Sequence, residues 1–277
     1  MRKPPTAPVP TKPPDSSFNL PRLRQSLPFH LHYFPRLRST NDHAAALRRR
    51  GTLFAPAVVL TPHQTAGRGR AGNAWFSAAS HPGAVLTVTF VLPVEEHLSP
   101  HHLPLIAGLA VHSAAAELTS SPNIQLKWPN DILHAGRKLA GLLCERVHNA
   151  DLVGLGLNVN LNPSRAPKHL RDKITSLSHI AAHPFDPTDV LLTVARHLKQ
   201  TLTHRHDRPF TVFLREYDAH HALVGRRVRV ITNGVGSTSA DDQQIAGTCQ
   251  GIDNSGRLVL RDRHRTHHVI AGHVLLA

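Results

Sequence analysis

The sequence predicts an α+β protein, in which a mixed, largely antiparallel sheet is packed with helices and is followed by a small β-barrel. Between Leu31 and Ala219, segments rich in β-branched residues alternate with segments whose apolar residues recur at helical spacing. Neighbouring strand segments are joined by short turns, which favour antiparallel hairpins. After His221 the helical spacing stops, and short strands separated by turn residues continue to the C-terminus.

The chain divides into three predicted parts. Residues 1–28 contain eight prolines and little apolar periodicity, which predicts a disordered or polyproline II tail. Residues 29–221 form the predicted large domain, and residues 222–277 form the small barrel. A chain of 277 residues has room for both.

The large domain begins with a predicted helix at Asn41–Arg50, which Ser39 or Thr40 can cap and Gly51 can end. The segment Leu103–Leu118 is apolar at helical spacing, as expected of a core helix. The further elements predicted for this domain are, in chain order, strands at Ala57–Thr61, Val85–Leu92, Ile124–Trp128, Ile132–Leu133, Leu139–Val147 and Leu152–Leu161, an irregular basic loop at Asn162–Lys173, and amphipathic helices at Pro187–Thr203 and Pro209–Ala219. The barrel strands are predicted at Leu223–Ile231, Ile245–Ile252 and Arg257–Arg261.

Composition limits the function classes. A formal charge of +14 predicts affinity for polyanions, for an acidic protein partner or for anionic small ligands. The 23 histidines show no repeated metal-ligand spacing, which favours a general bias of composition. Cys144 and Cys249 form no Cys-x-x-Cys pair and are expected to be reduced core residues of a cytoplasmic protein. No apolar stretch is typical of a signal peptide or approaches the ~18 residues of a transmembrane helix, so no membrane association is expected.

The loop Gly67–Trp75 is the most informative local pattern, because arginines alternate with glycines in it. Glycine permits the backbone to approach a ligand closely, and successive N–H groups can form a nest for an anion. The guanidinium groups add planar donors suited to carboxylate or phosphate. The loop alone predicts a site for a small anionic molecule, and it leaves a flexible RNA-binding arm as an alternative.

Four motifs in order decide between these alternatives. The chain resembles the catalytic domain of biotin protein ligases from roughly Phe34 to Leu161, and more weakly beyond. The residues that carry the resemblance are Ser39-Thr40-Asn41, Gln64 before Gly67-Arg68-Gly69-Arg70-Ala71-Gly72-Asn73-Ala74-Trp75, Lys127-Trp128-Pro129-Asn130-Asp131, and Lys138-Leu139-Ala140-Gly141. The resemblance implies a class II synthetase-like catalytic domain and an SH3-like C-terminal barrel, although the strand pattern alone equally allows an OB-like barrel.

What the resemblance implies chemically is a two-step transfer. Biotin and ATP would form biotinyl-5′-AMP with Mg²⁺ as cofactor, and a lysine of a biotin carboxyl carrier protein would then displace AMP. Lipoate–protein ligases share the fold and the chemistry, but they carry an Arg-Arg-x-Ser-Gly-Gly-type loop, so the loop here favours biotin. A basic nucleic-acid-binding protein is a further alternative, which the low aromatic content of 5% disfavours. The tail is too short for the winged helix of some relatives, so specific DNA binding is not expected; a homodimer stays open.

Three cations are expected to be catalytic by the same resemblance. Lys138 would reach the biotin carboxylate and the α-phosphate, and Lys127 would stabilise the charge near the reacting phosphate. Arg70 would hold the loop shut by pairing with the intermediate or with a nearby carboxylate. Asp131 would bind the metal or fix Lys127, although a turn-forming aspartate explains it equally well.

Biotin itself needs neutral hydrogen-bonding groups for its ureido ring and an apolar wall for its chain. The residues expected to bind biotin or biotinyl-5′-AMP are Ser39, Thr40, Asn41, Gln64, Arg68, Gly69, Arg70, Trp75, Lys138, Gly141 and Asn158. Helix capping alone would also explain Ser39 or Thr40, and a turn would also explain Asn158. Trp75 is expected to order the loop, and Trp128 to line or underlie the biotin pocket.

Overall fold

The computed structural model of the chain describes residues 17–77, 81, 83–95, 99–207, 209–232 and 244–276. Its helices are α1 (Leu20–Ser26), α2 (Thr40–Arg49), α3 (Leu103–Thr119), α4 (Leu177–Ala181), α5 (Pro187–Asp207) and α6 (Phe210–Ala219). Its strands are β1 (His30–Tyr33), β2 (Ala57–Thr61), β3 (Gly67–Arg68), β4 (Ala74–Trp75), β5 (Val85–Pro93), β6 (Ile124–Lys127), β7 (Asp131–His134), β8 (Arg137–Val147), β9 (Ala150–Asn158), β10 (Arg227–Ile231), β11 (Gln244–Ile252), β12 (Leu258–Arg261), β13 (Thr266–Val269) and β14 (His273–Leu276).

A seven-stranded sheet in the order β1-β2-β5-β9-β8-β7-β6 organises the large domain. Its strands pair antiparallel except β1 with β2, so the predicted mixed, largely antiparallel sheet is confirmed. The main core lies between one face of the sheet and the helices α3 and α5. Helix α2 covers part of the other face, where Ala44 and Ala45 pack on apolar residues of β2 and β9. The remainder of that face is open to the site described below.

The linker after α6 continues the sheet beyond β6. Leu126 donates its N–H to the carbonyl of His220 at 2.9 Å, and Ala222 donates to the carbonyl of Leu126 at 2.8 Å. The predicted domain boundary at 221 therefore falls within a stretch that is paired to the large sheet.

The C-terminal module is a five-stranded antiparallel sheet in the order β13-β12-β11-β10-β14. The outermost strands β13 and β14 do not pair with each other in the described residues, so this part of the chain forms an open sheet and not the predicted closed barrel. Closure depends on which strands meet at the edges, and strand patterns do not encode that. The antiparallel character and the three predicted strands agree with the structure.

The predicted tail boundary at residue 28 is wrong for residues 17–28, while residues 1–16 lie outside the described residues. Phe18 and Leu23 are 1% and 0% exposed in the main core, and the Asn19 side chain caps α1 by accepting from the N–H of Arg22. Pro21 lies in the first helical turn, where its missing N–H does no harm. The high proline content concealed this short apolar repeat.

The sequence prediction also lacked the strands β1, β3, β4, β13 and β14 and the helix α4. All are short, and β1, β13 and β14 contain histidines, which give a weak alternation of apolar and polar residues. Within the described residues, no helix combines the length and the apolar character needed to cross a membrane.

Candidate functional site

A cavity of about 1250 Å³ opens on the sheet face that α2 leaves uncovered. Its walls come from the start of α2, the hairpin β3–β4, the strands β6 to β9, residues 170–174 and the C-terminal module. The structure brings together nearly all of the predicted site residues there; those that line the cavity are Ser39, Thr40, Asn41, Gln64, Arg68, Gly69, Arg70, Trp75, Lys127, Asp131, Lys138 and Gly141. The cavity is large enough for a ligand bigger than a typical drug molecule.

Glycines form the floor of the cavity. Gly141 on β8 lies directly opposite Gly156 on β9, and Gly154 precedes it on the same face of the strand. The indole of Trp75 lies on this floor, so that a Cβ at Gly156 would come within 2.2 Å of its Cε2 atom. A Cβ at Gly154 would come within 2.2 Å of Asn41 Oδ1. Glycine is therefore required at positions 154 and 156 because other side chains approach the backbone of β9 closely. A glycine inside a predicted strand can indicate such an approach in the sequence.

Buried neutral groups form one end of the cavity. Gln64 Oε1 accepts from the N–H of Thr40 at 3.0 Å and lies 3.4 Å from its hydroxyl, while Gln64 Nε2 donates to Ser77 Oγ at 3.2 Å. Ser39 caps α2 by accepting from the N–H of Asp42 at 3.3 Å, so the capping interpretation of Ser39 is correct. This end is a prearranged set of donors and acceptors.

The glycine loop folds as a hairpin between β3 and β4. The N–H of Asn73 donates to the carbonyl of Arg70 at 3.1 Å, and Ala71 and Gly72 both have positive φ, 52° and 76°. Such a turn suits the twist of a two-residue hairpin, but a left-handed alanine costs about 1 kcal/mol. The side chain of Asn73 also donates to Arg70 O at 3.0 Å, so this uncharged residue holds the turn together.

The two arginines of the loop have different surroundings. Arg68 Nη2 lies 2.6 Å from Asp42 Oδ1 and 3.1 Å from Glu145 Oε1. Partial burial opposes the Arg68 charge, but the hydrogen bonds that Arg68 donates to Asp42 and Glu145 outweigh this effect and raise the pKa of Arg68. Arg70 forms no ion pair with the described residues, and burial lowers its pKa despite the attraction of Asp131. The predicted carboxylate contact of the loop thus belongs to Arg68 and not to Arg70.

The cations gather around one carboxylate. Lys138 Nζ lies 2.6 Å from Asp131 Oδ1 and 5.5 Å from the centre of the Trp75 ring. Lys127 is the partner of Asp131 across the β6–β7 pair, and burial lowers the pKa of Lys127, with attraction from Asp131 and repulsion from Lys138. Among the described residues that line the cavity, Asp131 is the single acid, against six lysines and arginines: Arg68, Arg70, Lys127, Lys138, Lys173 and Arg226.

Asp131 does not fit the predicted role of a protein ligand to Mg²⁺. Its carboxylate is already paired with Lys138, and Arg70 and Lys127 lie close enough to repel a divalent cation. The described part of the chain holds no group of three or more His, Cys, Asp and Glu side chains that could bind a metal.

Asn158 lies behind the cavity and not in its wall. It is buried, and its side-chain amide donates to the carbonyl of Thr175 at 2.8 Å and lies 3.4 Å from that of Lys138. Lys138 also exchanges backbone hydrogen bonds with Lys173 and Thr175. Asn158 therefore positions the strand that carries Lys138, which differs from the predicted contact with the ligand.

Trp128 joins the two modules. Its indole N–H donates to the carbonyl of Gly256 at 3.0 Å, and its side chain is 2% exposed. Of the two predicted places, lining or underlying the pocket, the structure shows the first, since Trp128 lines the cavity; the contact with the C-terminal module was not foreseen. Residues of that module, among them Arg226 and Gly272, complete the cavity wall.

The cavity on this largely antiparallel sheet could hold a carboxylate and a phosphate side by side, which is the arrangement that a ligase activating a carboxylate with a nucleotide requires. Residues 33–162 match the sequence model of the biotin/lipoate A/B protein ligase family. The chain is 34% identical over 243 residues to the biotin–[acetyl-CoA-carboxylase] ligase of Mycobacterium tuberculosis, covering 86% of this chain and 85% of that protein. It is 31% identical to the bifunctional ligase/repressor of Bacillus subtilis, over 83% of this chain and 69% of that protein.

Solved structures agree with these relatives. The biotin protein ligase from Aquifex aeolicus in complex with biotin and ATP superposes with a TM-score of 0.77 at 26% identity, and the match covers 90% of this chain and 98% of that one. The chain belongs to the biotin protein ligase family, and it is an enzyme of that type.

Proposed function

We propose that this enzyme joins biotin to ATP as biotinyl-5′-AMP and then transfers the biotinyl group to a lysine of a biotin carboxyl carrier protein. The proposal rests on one observation: a single cavity, lined by the described residues, has neutral hydrogen-bonding groups and a glycine floor at one end, and three cations around Asp131 at the other. These cations are Arg70, Lys127 and Lys138. The related enzyme of Mycobacterium tuberculosis is named for acetyl-CoA carboxylase, which supports a carboxylase carrier as the acceptor.

Biotin is assigned to the neutral end. Ser39, Thr40, Asn41 and Gln64 face the cavity with amide and hydroxyl groups that match a ureido ring, which both donates and accepts. The floor at Gly141 leaves room for the apolar chain, and Trp75 supplies an aromatic wall. The biotin carboxylate then points toward the cations.

The cationic end carries out the first step. A carboxylate oxygen of biotin attacks the α-phosphorus of ATP, the bond from that phosphorus to the bridging oxygen breaks, and pyrophosphate leaves with the electron pair. Lys138, Lys127 and Arg70 neutralise the attacking carboxylate and the charge that grows on the phosphate oxygens. Gly69 and Arg68 would bring the loop backbone over the same phosphate, and Asn158 supports Lys138 from behind.

In the second step the neutral ε-amine of the carrier lysine attacks the acyl carbon of the mixed anhydride. The carbon–oxygen bond to the phosphate breaks, AMP leaves, and the amine proton passes to solvent. Mg²⁺ belongs in this proposal as the counter-ion that ATP brings on its phosphates, and no step is assigned to it. The free cysteines Cys144 and Cys249 are in keeping with a cytoplasmic enzyme.

Mass spectrometry of a biotin carboxyl carrier domain tests the proposal. The carrier is incubated with the enzyme, ATP and Mg²⁺, with either biotin or lipoate. We expect a single biotinyl addition on one lysine and no lipoyl addition. A lipoylated carrier, or a carrier left unmodified in the presence of biotin, would contradict the proposal.

A further inference from the structure

Glu145 on β8 lies at the centre of a polar network that sequence reasoning did not foresee. Its carboxylate oxygens lie 3.1 and 3.2 Å from Arg68 Nη2, and one of them accepts from Asn41 Nδ2 at 2.8 Å. Asp42, in the first turn of α2, lies 2.6 Å from the same Arg68 nitrogen. One arginine of the hairpin β3–β4 is thus held by two carboxylates from two other elements.

The position of the carboxylates indicates what they do. Arg68 lines the cavity, whereas Asp42 and Glu145 do not, so they hold the arginine from outside the ligand space. Two carboxylates on one guanidinium leave the group with a net negative charge, which does not favour binding of a phosphate at Arg68. Within the described part of the chain, these are the ion pairs that join the hairpin to the rest of the protein.

We propose that Glu145 is a positioning residue that keeps the glycine loop closed through Arg68 and thereby retains biotinyl-5′-AMP until the carrier arrives. The inference rests on the proposed function. Retention matters because a mixed anhydride that reaches solvent reacts with water or with any lysine. The three side chains are 44%, 52% and 32% exposed, so the network is weak enough to open for the carrier.

The decisive variant is Glu145→Gln. Its amide oxygen can still accept from Asn41, but one of the two charges that hold Arg68 is gone and only Asp42 remains. Glu117→Gln is the matched control, because Glu117 forms a 2.6 Å ion pair with Arg196 between α3 and α5, outside the cavity wall. Release of labelled biotinyl-5′-AMP is followed by rapid gel filtration. We expect release about three- to tenfold faster for Glu145→Gln, with adenylate formed at the wild-type rate.

The salt dependence of biotinyl-5′-AMP release shows whether Glu145 holds the loop through its charge or only through its place in the structure. In the wild type, release should accelerate as NaCl rises; in Glu145→Gln, which keeps only the ion pair between Asp42 and Arg68, the same rise in NaCl should accelerate release less. Glu145→Asp keeps the charge and should recover part of the retention. Wild-type release by Glu145→Gln, or the same salt dependence in both proteins, would overturn the proposal.

A measurement without ligand keeps this inference separate from the proposed function. Hydrogen exchange of the backbone amides of residues 67–75 should be faster in Glu145→Gln than in the wild type and unchanged in Glu117→Gln. Equal exchange in all three proteins would contradict the proposed role of Glu145. If the wild type made no adenylate at all, the proposed function would fail, while the exchange rates would still decide the role of Glu145.

Discussion

The two ends of the cavity are held in place by different forces. At the neutral end, Gln64 is hydrogen-bonded to both Thr40 and Ser77, and the ring of Trp75 lies directly over Gly156. At the cationic end, three positive groups share one carboxylate, and burial lowers the pKa of Lys127. The first arrangement is complete before a ligand arrives, whereas the second is completed by the negative charge of the ligand. Shape selection and catalysis can therefore be disrupted separately.

Lys138→Ala breaks the cationic end and should have the largest effect. The substitution removes the cation nearest to Asp131 and leaves the glycine floor unchanged. We expect biotin-dependent exchange between ATP and pyrophosphate to fall by about 10²–10³-fold in a protein with an unchanged circular dichroism spectrum. Lys199→Ala, an exposed lysine on α5, is the control. Exchange at the wild-type rate would remove Lys138 from the chemistry.

Gly156→Ala breaks the neutral end. Its Cβ would lie 2.2 Å from Trp75 and force the indole into the cavity, so KM for biotin should rise by about tenfold or more. Gly141→Ala is the comparison, since its Cβ would lie 3.0 Å from Cε of the flexible Lys138 side chain and only 3.2 Å from Trp75 Cζ3, a milder approach to the indole than the 2.2 Å at Gly156. That variant should lower kcat more than it raises KM for biotin. The same kinetic change in both variants would show that the ends do not act separately.

The pH dependence sharpens the comparison, because the cationic end titrates and the neutral end does not. Lys127 stabilises negative charge when it is protonated, and burial lowers its pKa below the ordinary lysine value. As the pH rises through this lowered pKa, kcat/KM for ATP should fall by a larger factor than the affinity for biotin, whose ureido ring is assigned to the neutral end. Lys127→Arg should move the alkaline limb to higher pH. An alkaline limb that the substitution leaves in place would assign it to another group.

Removal of the N-terminal residues should alter neither the neutral nor the cationic end of the cavity. Deleting residues 1–28 removes Phe18 and Leu23 from the core, and each buried side chain of this size contributes about 2–5 kcal/mol to the free energy of unfolding. Thermal denaturation should therefore shift downward by several degrees, with KM for biotin and ATP unchanged. Deleting residues 1–16 should leave the melting temperature within error. Equal melting temperatures for the two truncations would mean that α1 contributes nothing.

The site shows which contacts a sequence can predict. Lys138, Gln64 and the glycine loop could be found because their types and spacings form motifs, and most strands were found from their β-branched residues. Glu145 could not, because its partner Arg68 lies 77 positions away and a single glutamate in a strand has no distinguishing neighbours. The N–H of Trp128 likewise meets a carbonyl 128 positions away. Contacts that depend on tertiary pairing leave no local pattern.

The pairing of residues 220–222 with β6 has a consequence for the newly made chain. An uncovered strand edge is a template for pairing with other chains. Strand β6 ends at Lys127, but the segment that covers it is synthesised only after α6, so the nascent large domain carries an open edge from the synthesis of β6 until residue 220 is made. We expect a chain that ends before His220 to pair with other chains more readily at this edge. The short linker between the modules thus also protects the sheet during folding.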